Sequence, residues 1–140
     1  MSDTLFSSSW YRVAEVRPDT HGIALPPAVF RTQMTELARC PNVSVKLGGM
    51  MMRLAAYDYR TQPKPPTSTE LAALWRPYFE TCIELFGPDR CLFESNFPVD
   101  KMGIGWAALW NTFKRIASGA SAPEKQALFS GTARRVYRLP

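Results

Sequence analysis

The chain has 140 residues, of which 46% are hydrophobic and 21% charged, as in a folded globular protein of about one domain. Its net charge of +5 comes from 17 basic and 12 acidic residues. The basic residues are scattered apart from ARRVYR, residues 133–138, so the chain lacks the basic stripe with interleaved aromatics that is typical of nucleic-acid-binding proteins.

The cysteines Cys40, Cys82 and Cys91 are odd in number and far apart, which argues against a disulfide framework or a thiolate zinc site. Free cysteines suit a reducing compartment. The sequence has no apolar run of membrane-spanning length, and its first residues lack the basic and apolar regions of a secretory signal. We therefore expect a cytoplasmic protein with neither a membrane nor a nucleic-acid partner.

Regular structure is expected only after the first 25 residues. Residues 1–25 show no period and are interrupted by Ser7–Ser9 and Pro18, so we assign them as an irregular segment. From Pro26 to Ala38 the apolar residues recur on one helical face, with prolines suited to a first turn.

A strand and a long loop follow this helix. In Val43–Leu47 apolar and polar residues alternate, and glycines follow, which predicts a half-buried strand. The loop that comes next, residues 50–68, is longer than a connection needs, and such loops are commonly functional.

The second half of the chain alternates helix and strand again. Thr67 and Glu70 are spaced as a capping box before an apolar helical stripe, which Gly87-Pro88 ends. A strand, CLFES, precedes a helix over residues 104–118, and a last helix begins at Ser121 with a second capping box. Helical spacing predicts that three tryptophans belong to the core: Trp75, Trp106 and Trp110.

Two strands separated by a helix predict a parallel βαβ unit with a right-handed crossover. A parallel sheet needs both faces covered and more strands than two. The segment therefore indicates part of a larger α/β architecture.

Several motifs occur in an order that resembles a known family. Lys46–Gly49 ends the first strand as KLGG, and Phe86–Arg90 reads FGPDR. Ser95 and Pro98 stand in the turn ESNFP, and Gly131–Tyr137 reads GTARRVY. These motifs resemble the C-terminal part of the amidohydrolase-related family, metal-dependent TIM-barrel hydrolases that include lactonases and decarboxylases.

The resemblance implies the C-terminal portion of a (β/α)8 TIM barrel, about its last two βα units. Residues 26–140 would form this partial barrel domain, after the irregular segment 1–25. The implied function is hydrolysis of a small lactone, amide or ester, with non-oxidative decarboxylation as a variant within the family. The alternative is a non-catalytic, truncated or accessory fragment that needs a partner to fold.

The polar end of the second strand is the candidate catalytic position, because TIM-barrel active sites lie at the C-terminal ends of the strands. The resemblance places Asn96 where most of the family has an aspartate that binds or faces the metal. An amide can orient a water molecule but is no general base near neutral pH. A purely structural role, capping the turn, is the other reading of Asn96.

Further side chains are expected around the active site, at the C-terminal ends of the strands. The long loop carries Tyr57 and Arg60, which we assign to substrate binding together with Lys46. If Glu94 points the same way as Asn96, it can also form a buried or half-buried ion pair with Lys46.

The resemblance implies a divalent metal, zinc or manganese, held by a His-x-His pair and other ligands. His21 is the only histidine, and we expect it in an exposed loop, so this chain alone supports no metal site. We therefore expect the chain to be inactive alone, with a small molecule as the substrate of the complete enzyme. Exposed strand edges are expected to allow self-association.

Overall fold

The structure, a computed structural model, describes residues 26–51 and 63–140. Within these ranges the helices and strands are α1 (Pro27–Ala38), β1 (Val45–Leu47), α2 (Ser68–Phe86), β2 (Cys91–Phe93), α3 (Trp106–Ile116), α4 (Ala122–Gln126) and α5 (Thr132–Tyr137). Short helical turns connect them at Pro88–Arg90, Val99–Met102, Ala117–Gly119 and Ala127–Gly131. The segment assigned as irregular, residues 1–25, lies outside the described residues.

The two strands pair in parallel, which confirms the predicted βαβ unit. Val45 pairs with Cys91 and Leu47 with Phe93, and α2 lies between the strands in sequence. Both strands are shorter than predicted. The second ends at Phe93 instead of Ser95 because Asn96 turns the chain with a φ of 50°.

Helix α2 is the longest element, and its predicted start is confirmed. Thr67 accepts a hydrogen bond from the Glu70 backbone, and the Glu70 carboxylate accepts one from Thr67 in return. These bonds satisfy N–H groups that the first turn leaves free. The helix ends at Gly87, whose φ of 78° lies in the region that favours glycine.

A core of aromatic side chains joins α2, α3 and β2. Phe93 stacks on Phe113 with ring centroids 4.8 Å apart, and Phe79 and Trp75 complete the cluster from α2. Trp75 is fully buried, as predicted. Because aromatic burial contributes strongly to stability, this cluster fixes the helix layer against the sheet.

The two faces of the strands differ. Val45, Leu47, Cys91 and Phe93 belong to the core that the helices share, whereas Leu92 is buried outside that core. Alternation along a strand therefore directs Lys46, the partner of Leu92, to the face opposite this core.

At the N-terminal end of β2, Arg90 links three parts of the chain. Its guanidinium donates to the carbonyl oxygens of Phe86, Ala38 and Cys40 at 3.0, 3.1 and 2.9 Å. The last two carbonyls lie at the C-terminal end of α1, where a cation is favourable. Arg90 therefore holds α1 against β2.

The two motifs FGPDR and GTARRVY contact each other. The Thr132 hydroxyl, fully buried, donates to the Pro88 carbonyl at 3.0 Å, and Arg135 donates to the Asp89 carbonyl. This contact lies at the end of β2 remote from Asn96. In a parallel α/β architecture this end serves stability instead of catalysis.

In the part of the chain that the structure describes, none of the helices has the length and apolar character to cross a membrane.

Candidate functional site

The candidate site lies where the two parallel strands end. One backbone bond, from Glu94 N–H to Leu47 O at 3.2 Å, continues the pairing beyond the last strand residues. Because parallel strands end at the same edge, the residues after Leu47 and Phe93 are brought together there. This edge, with Lys46, Glu94, Asn96 and Asp100, is the mouth of the candidate site.

Lys46 and Glu94 form the predicted ion pair. Lys46 Nζ lies 2.9 Å from Glu94 Oε2, and the two side chains are 37% and 26% exposed. The pair is therefore half-buried and keeps solvent contact. An ammonium group has three donor hydrogens, and this bond to Glu94 uses one of them, so Lys46 can also donate to a ligand at the mouth.

Gly48 allows the two strand ends to approach. A Cβ atom at Gly48 would lie 2.4 Å from the Glu94 carbonyl oxygen and 2.5 Å from Glu94 Cγ. Only glycine fits at such a distance from a backbone carbonyl. The glycine after β1 thus positions the carboxylate that pairs with Lys46.

Asn96 is bonded to a residue that the sequence analysis did not single out. Its side-chain Nδ2 donates to Asp100 Oδ1 at 2.9 Å. Its backbone carbonyl oxygen accepts from the Asp100 backbone N–H at 3.1 Å. The turn-capping reading of Asn96 therefore describes its local contacts. Its assignment as a catalytic residue stays a prediction.

Asp100 is only 1% exposed, and its Oδ2 has no hydrogen-bond partner among the described residues. Burial raises the pKa of this carboxyl from 3.8 to about 6; the Asn96 hydrogen bond acts against this rise, and the Glu94 charge adds to it. Little in the sequence singled out Asp100 as a residue of the site. An acidic residue four positions after Asn96 gives no sign of its burial, which depends on how the turn folds.

Other predicted site residues lie outside the described ranges. They include Tyr57 and Arg60, assigned to substrate binding, and His21. Their predicted roles remain predictions.

An open groove of about 540 Å³ lies along the turn that follows Asn96 and the start of α3. Phe97 and Trp106 form part of its wall, with ring centroids 5.2 Å apart and nearly perpendicular planes, and Lys101 also lines it. Trp106 is 55% exposed, so its assignment to the core was wrong. The helix begins at Trp106 instead of residue 104, which leaves this ring at the end of the helix and beyond the core.

No set of ligands for a metal is present in residues 26–51 and 63–140, where no group of three histidine, cysteine, aspartate or glutamate side chains converges. At the mouth, Glu94 is paired with Lys46, and one Asp100 oxygen is bonded to Asn96. The described residues alone therefore do not fit a metal site. The buried thiols do not fit one either, because burial raises the pKa of Cys91 to about 12 and that of Cys82 also upward.

Comparison with protein families gives a match over most of the chain. A family model described as amidohydrolase matches residues 19–139. The chain belongs to the amidohydrolase family. This agrees with the resemblance carried by the KLGG, FGPDR and GTARRVY motifs.

This amidohydrolase chain is similar to two curated relatives, one uncharacterized protein and one lactonase. The uncharacterized protein y4mH of Sinorhizobium fredii is 40% identical over 110 residues, which cover 79% of this chain and 33% of the relative. An L-fucono-1,5-lactonase of Burkholderia multivorans is 31% identical over 114 residues, 81% of this chain and 36% of the relative. The chain thus spans about a third of the length of these relatives.

Solved structures agree with this assignment. Two crystal structures of an amidohydrolase from Burkholderia multivorans, one with bound HEPES and one with bound zinc, match with a TM-score of 0.69 and 32% identity. The match covers 81% of this chain and 38% of the crystallised one. The fold of this chain is accordingly helix-rich α/β, and its structural neighbours are amidohydrolases of the TIM-barrel fold.

Proposed function

We propose that this chain is part of a hydrolase that opens a small lactone, with a sugar 1,5-lactone as the favoured substrate and small esters or amides as the wider class. One observation carries the proposal. In a chain 31% identical to an L-fucono-1,5-lactonase, the strand ends bring a half-buried lysine and a hydrogen-bonded asparagine to one edge.

Lactone hydrolysis requires water to attack a carbonyl carbon while negative charge develops on the carbonyl oxygen. Lys46 is proposed to bind the substrate there, since its ammonium has donor hydrogens beyond the bond to Glu94. Asn96 is proposed to orient the water or the substrate. Its amide takes up no proton near neutral pH, so a separate group must accept the proton of the attacking water.

Tyr57 and Arg60 are proposed as substrate contacts from the loop that follows β1. The product of lactone opening is a carboxylate, and an arginine guanidinium binds a carboxylate through two parallel hydrogen bonds. Arg60 therefore suits the product side of this reaction.

A divalent metal, zinc or manganese, is proposed for the complete enzyme. The zinc bound in the Burkholderia multivorans neighbour supports this. A catalytic metal would activate water and polarise the carbonyl. Since the described residues do not offer its ligands, we propose that residues elsewhere hold it and derive no step from it.

In architecture, we propose that the chain forms the last two βα units of a TIM barrel and is inactive as a 140-residue polypeptide. The observation that supports this is the two-stranded parallel sheet of the described residues, since parallel sheets this small are not stable alone.

The test is hydrolysis of a panel of substrates: a sugar 1,5-lactone, an aryl ester and an anilide. The carboxylic acid that hydrolysis produces is measured over time. The test uses both the 140-residue chain and the protein as its own gene encodes it. We expect the gene-encoded protein to open the lactone fastest and the 140-residue chain to be inactive. Asn96→Ala and Lys46→Ala should each lower kcat/KM about 100-fold, whereas Asp89→Asn, an exposed change remote from the mouth, should leave it unchanged.

Equal rates for Asn96→Ala and the unchanged protein would reject the assigned site. Release of carbon dioxide from a carboxylated substrate without lactone opening would favour the decarboxylase alternative. A gene-encoded protein that turns over nothing in the panel would favour the non-catalytic alternative.

A further inference from the structure

Asn96 and Asp100 are connected twice. The Asn96 side-chain amide donates from Nδ2 to Asp100 Oδ1 at 2.9 Å, and the Asp100 backbone N–H donates to the Asn96 backbone carbonyl at 3.1 Å. The backbone bond fixes the distance between the two residues. The side-chain bond then fixes the rotation of the amide.

The two ends of an amide are chemically different. An ionised carboxylate only accepts hydrogen bonds, so only the NH₂ end of Asn96 can face Asp100. The Oδ1 atom lies on the other branch of the amide, and no described residue donates a hydrogen bond to it. Asn96 is half-buried, so this oxygen can accept from a molecule at the mouth.

Asp100 destabilises the fold, so stability alone does not explain an aspartate at this position. Its side chain is 1% exposed, and Oδ2 has no partner in the described part of the chain. A buried polar atom without a partner destabilises the fold, and an apolar residue of similar size would avoid this cost. Among the described residues, the hydrogen bond to Asn96 is the one side-chain interaction of Asp100 that a leucine at this position could not make.

We propose that Asp100 is a positioning residue, which holds the Asn96 amide with its NH₂ group turned inward and its carbonyl oxygen presented to the mouth. Asn96 then binds a hydrogen-bond donor, namely the attacking water or a hydroxyl group of the substrate. It does not stabilise the oxyanion, a role that this arrangement leaves to a donor such as Lys46. The role in catalysis rests on the proposed lactonase function, but the orientation of the amide does not.

The orientation is tested by NMR on the gene-encoded protein, through exchange of the side-chain amide protons. We expect the Asn96 Nδ2 proton that is bonded to Asp100 to exchange at least about tenfold more slowly than the side-chain amide protons of Asn42 and Asn111, which are exposed. Asp100→Leu should remove this protection. Asp100→Asn should keep it, because its carbonyl oxygen still accepts. Unchanged protection in Asp100→Leu, with the fold intact by the rest of the spectrum, overturns the proposal.

The catalytic consequence is tested by a double-mutant cycle on the gene-encoded protein with a sugar 1,5-lactone. Asp100→Leu and Asn96→Ala should each lower kcat about 10- to 100-fold with little change in KM, and the double variant should be no slower than the slower single variant. The melting temperature of Asp100→Leu should be equal or higher, because the unpartnered carboxylate is removed.

Multiplicative losses of kcat in the double variant, or a lower melting temperature that accounts for the lost activity, would overturn the positioning role. If the unchanged protein opens no lactone, the proposed function fails, and the exchange experiment still decides the orientation of the amide.

Discussion

At the residue scale, the buried carboxyl of Asp100 makes stability depend on pH. Its pKa is raised from 3.8 to about 6 in the folded chain, chiefly by burial. A raised pKa means that the folded state binds the proton more tightly than the unfolded state does. The contribution of Asp100 is therefore fully present below pH 3.8 and is lost as the pH rises to about 6.

The prediction is that Asp100→Asn stabilises the chain relative to the unchanged protein by an amount that grows with pH. Between pH 4 and 7 the difference in the free energy of unfolding should rise by about 2–3 kcal/mol, from the size of the pKa shift. Urea unfolding of the gene-encoded protein at a series of pH values measures it, with Asp89→Asn, a change at an exposed carboxylate, as the matched control. A difference that stays constant with pH contradicts the prediction.

At the element scale, Gly48 controls how closely the ends of β1 and β2 approach. In Gly48→Ala the new methyl group meets the Glu94 carbonyl oxygen at 2.4 Å, and a backbone atom in a paired strand cannot move away cheaply. We expect the strand ends to separate, which draws Glu94 away from Lys46 and lowers the free energy of unfolding by about 1–3 kcal/mol.

The control is Gly119→Ala, where an added Cβ meets nothing within 4 Å and should be neutral or slightly stabilising. Urea unfolding compares the two variants, both made in the gene-encoded protein. Equal stabilities for Gly48→Ala and the unchanged protein would show that the strand ends are not in close contact.

The attachment of α1 to β2 through Arg90 gives a second prediction at this scale. Lysine has a single nitrogen and cannot reach the carbonyls of Phe86, Ala38 and Cys40 together, as the guanidinium does. Arg90→Lys should lower the free energy of unfolding by about 2–3 kcal/mol, since hydrogen bonds from a charged donor are lost.

Arg39→Lys provides the comparison, because Arg39 forms an exposed pair with Glu36 and such pairs contribute little. Thermal melting of both variants, made in the gene-encoded protein, measures the difference. Similar melting temperatures for the two would contradict the assigned role of Arg90.

At the scale of the whole molecule, local signals predicted the elements, and tertiary contacts decided the site. The capping box at Thr67 and the glycine at 87 delimit α2 because caps depend on nearby residues only. The Lys46–Glu94 pair was predictable as well, since strand alternation and a parallel crossover place both on one face.

Two features depended on contacts that spacing along the chain does not reveal. Helical periodicity assigned Trp106 to the core, but it does not report where the helix begins, and the ring lies at the first residue of α3. The burial of Asp100 arises because the turn after Asn96 folds back on itself through two hydrogen bonds. Asp100 lies in the turn between β2 and α3, where periodicity gives no signal, and Trp106 follows that turn as the first residue of α3.

Across the whole molecule, the open edges of the sheet support the proposal that the 140-residue chain self-associates. In the described ranges the sheet has two strands, each with one edge unpaired, and such edges pair with other chains. Three apolar side chains near the mouth are also exposed, Val99, Met102 and Trp106, by 45, 68 and 55%. We expect light scattering to report assemblies larger than a monomer, with hydrophobic-dye binding and a broad thermal transition.

Two lysine substitutions separate the contributions of the patch and the edges. Met102→Lys should reduce dye binding, because Met102 belongs to the exposed apolar patch of Val99, Met102 and Trp106. Leu139→Lys introduces the same charge at an exposed apolar residue near the C-terminal end of the chain and should have less effect. Assembly that persists in Met102→Lys would indicate pairing through the strand edges. A monomer with a sharp cooperative transition would contradict self-association, because it would show that the two-stranded unit needs no further chain to cover its sheet.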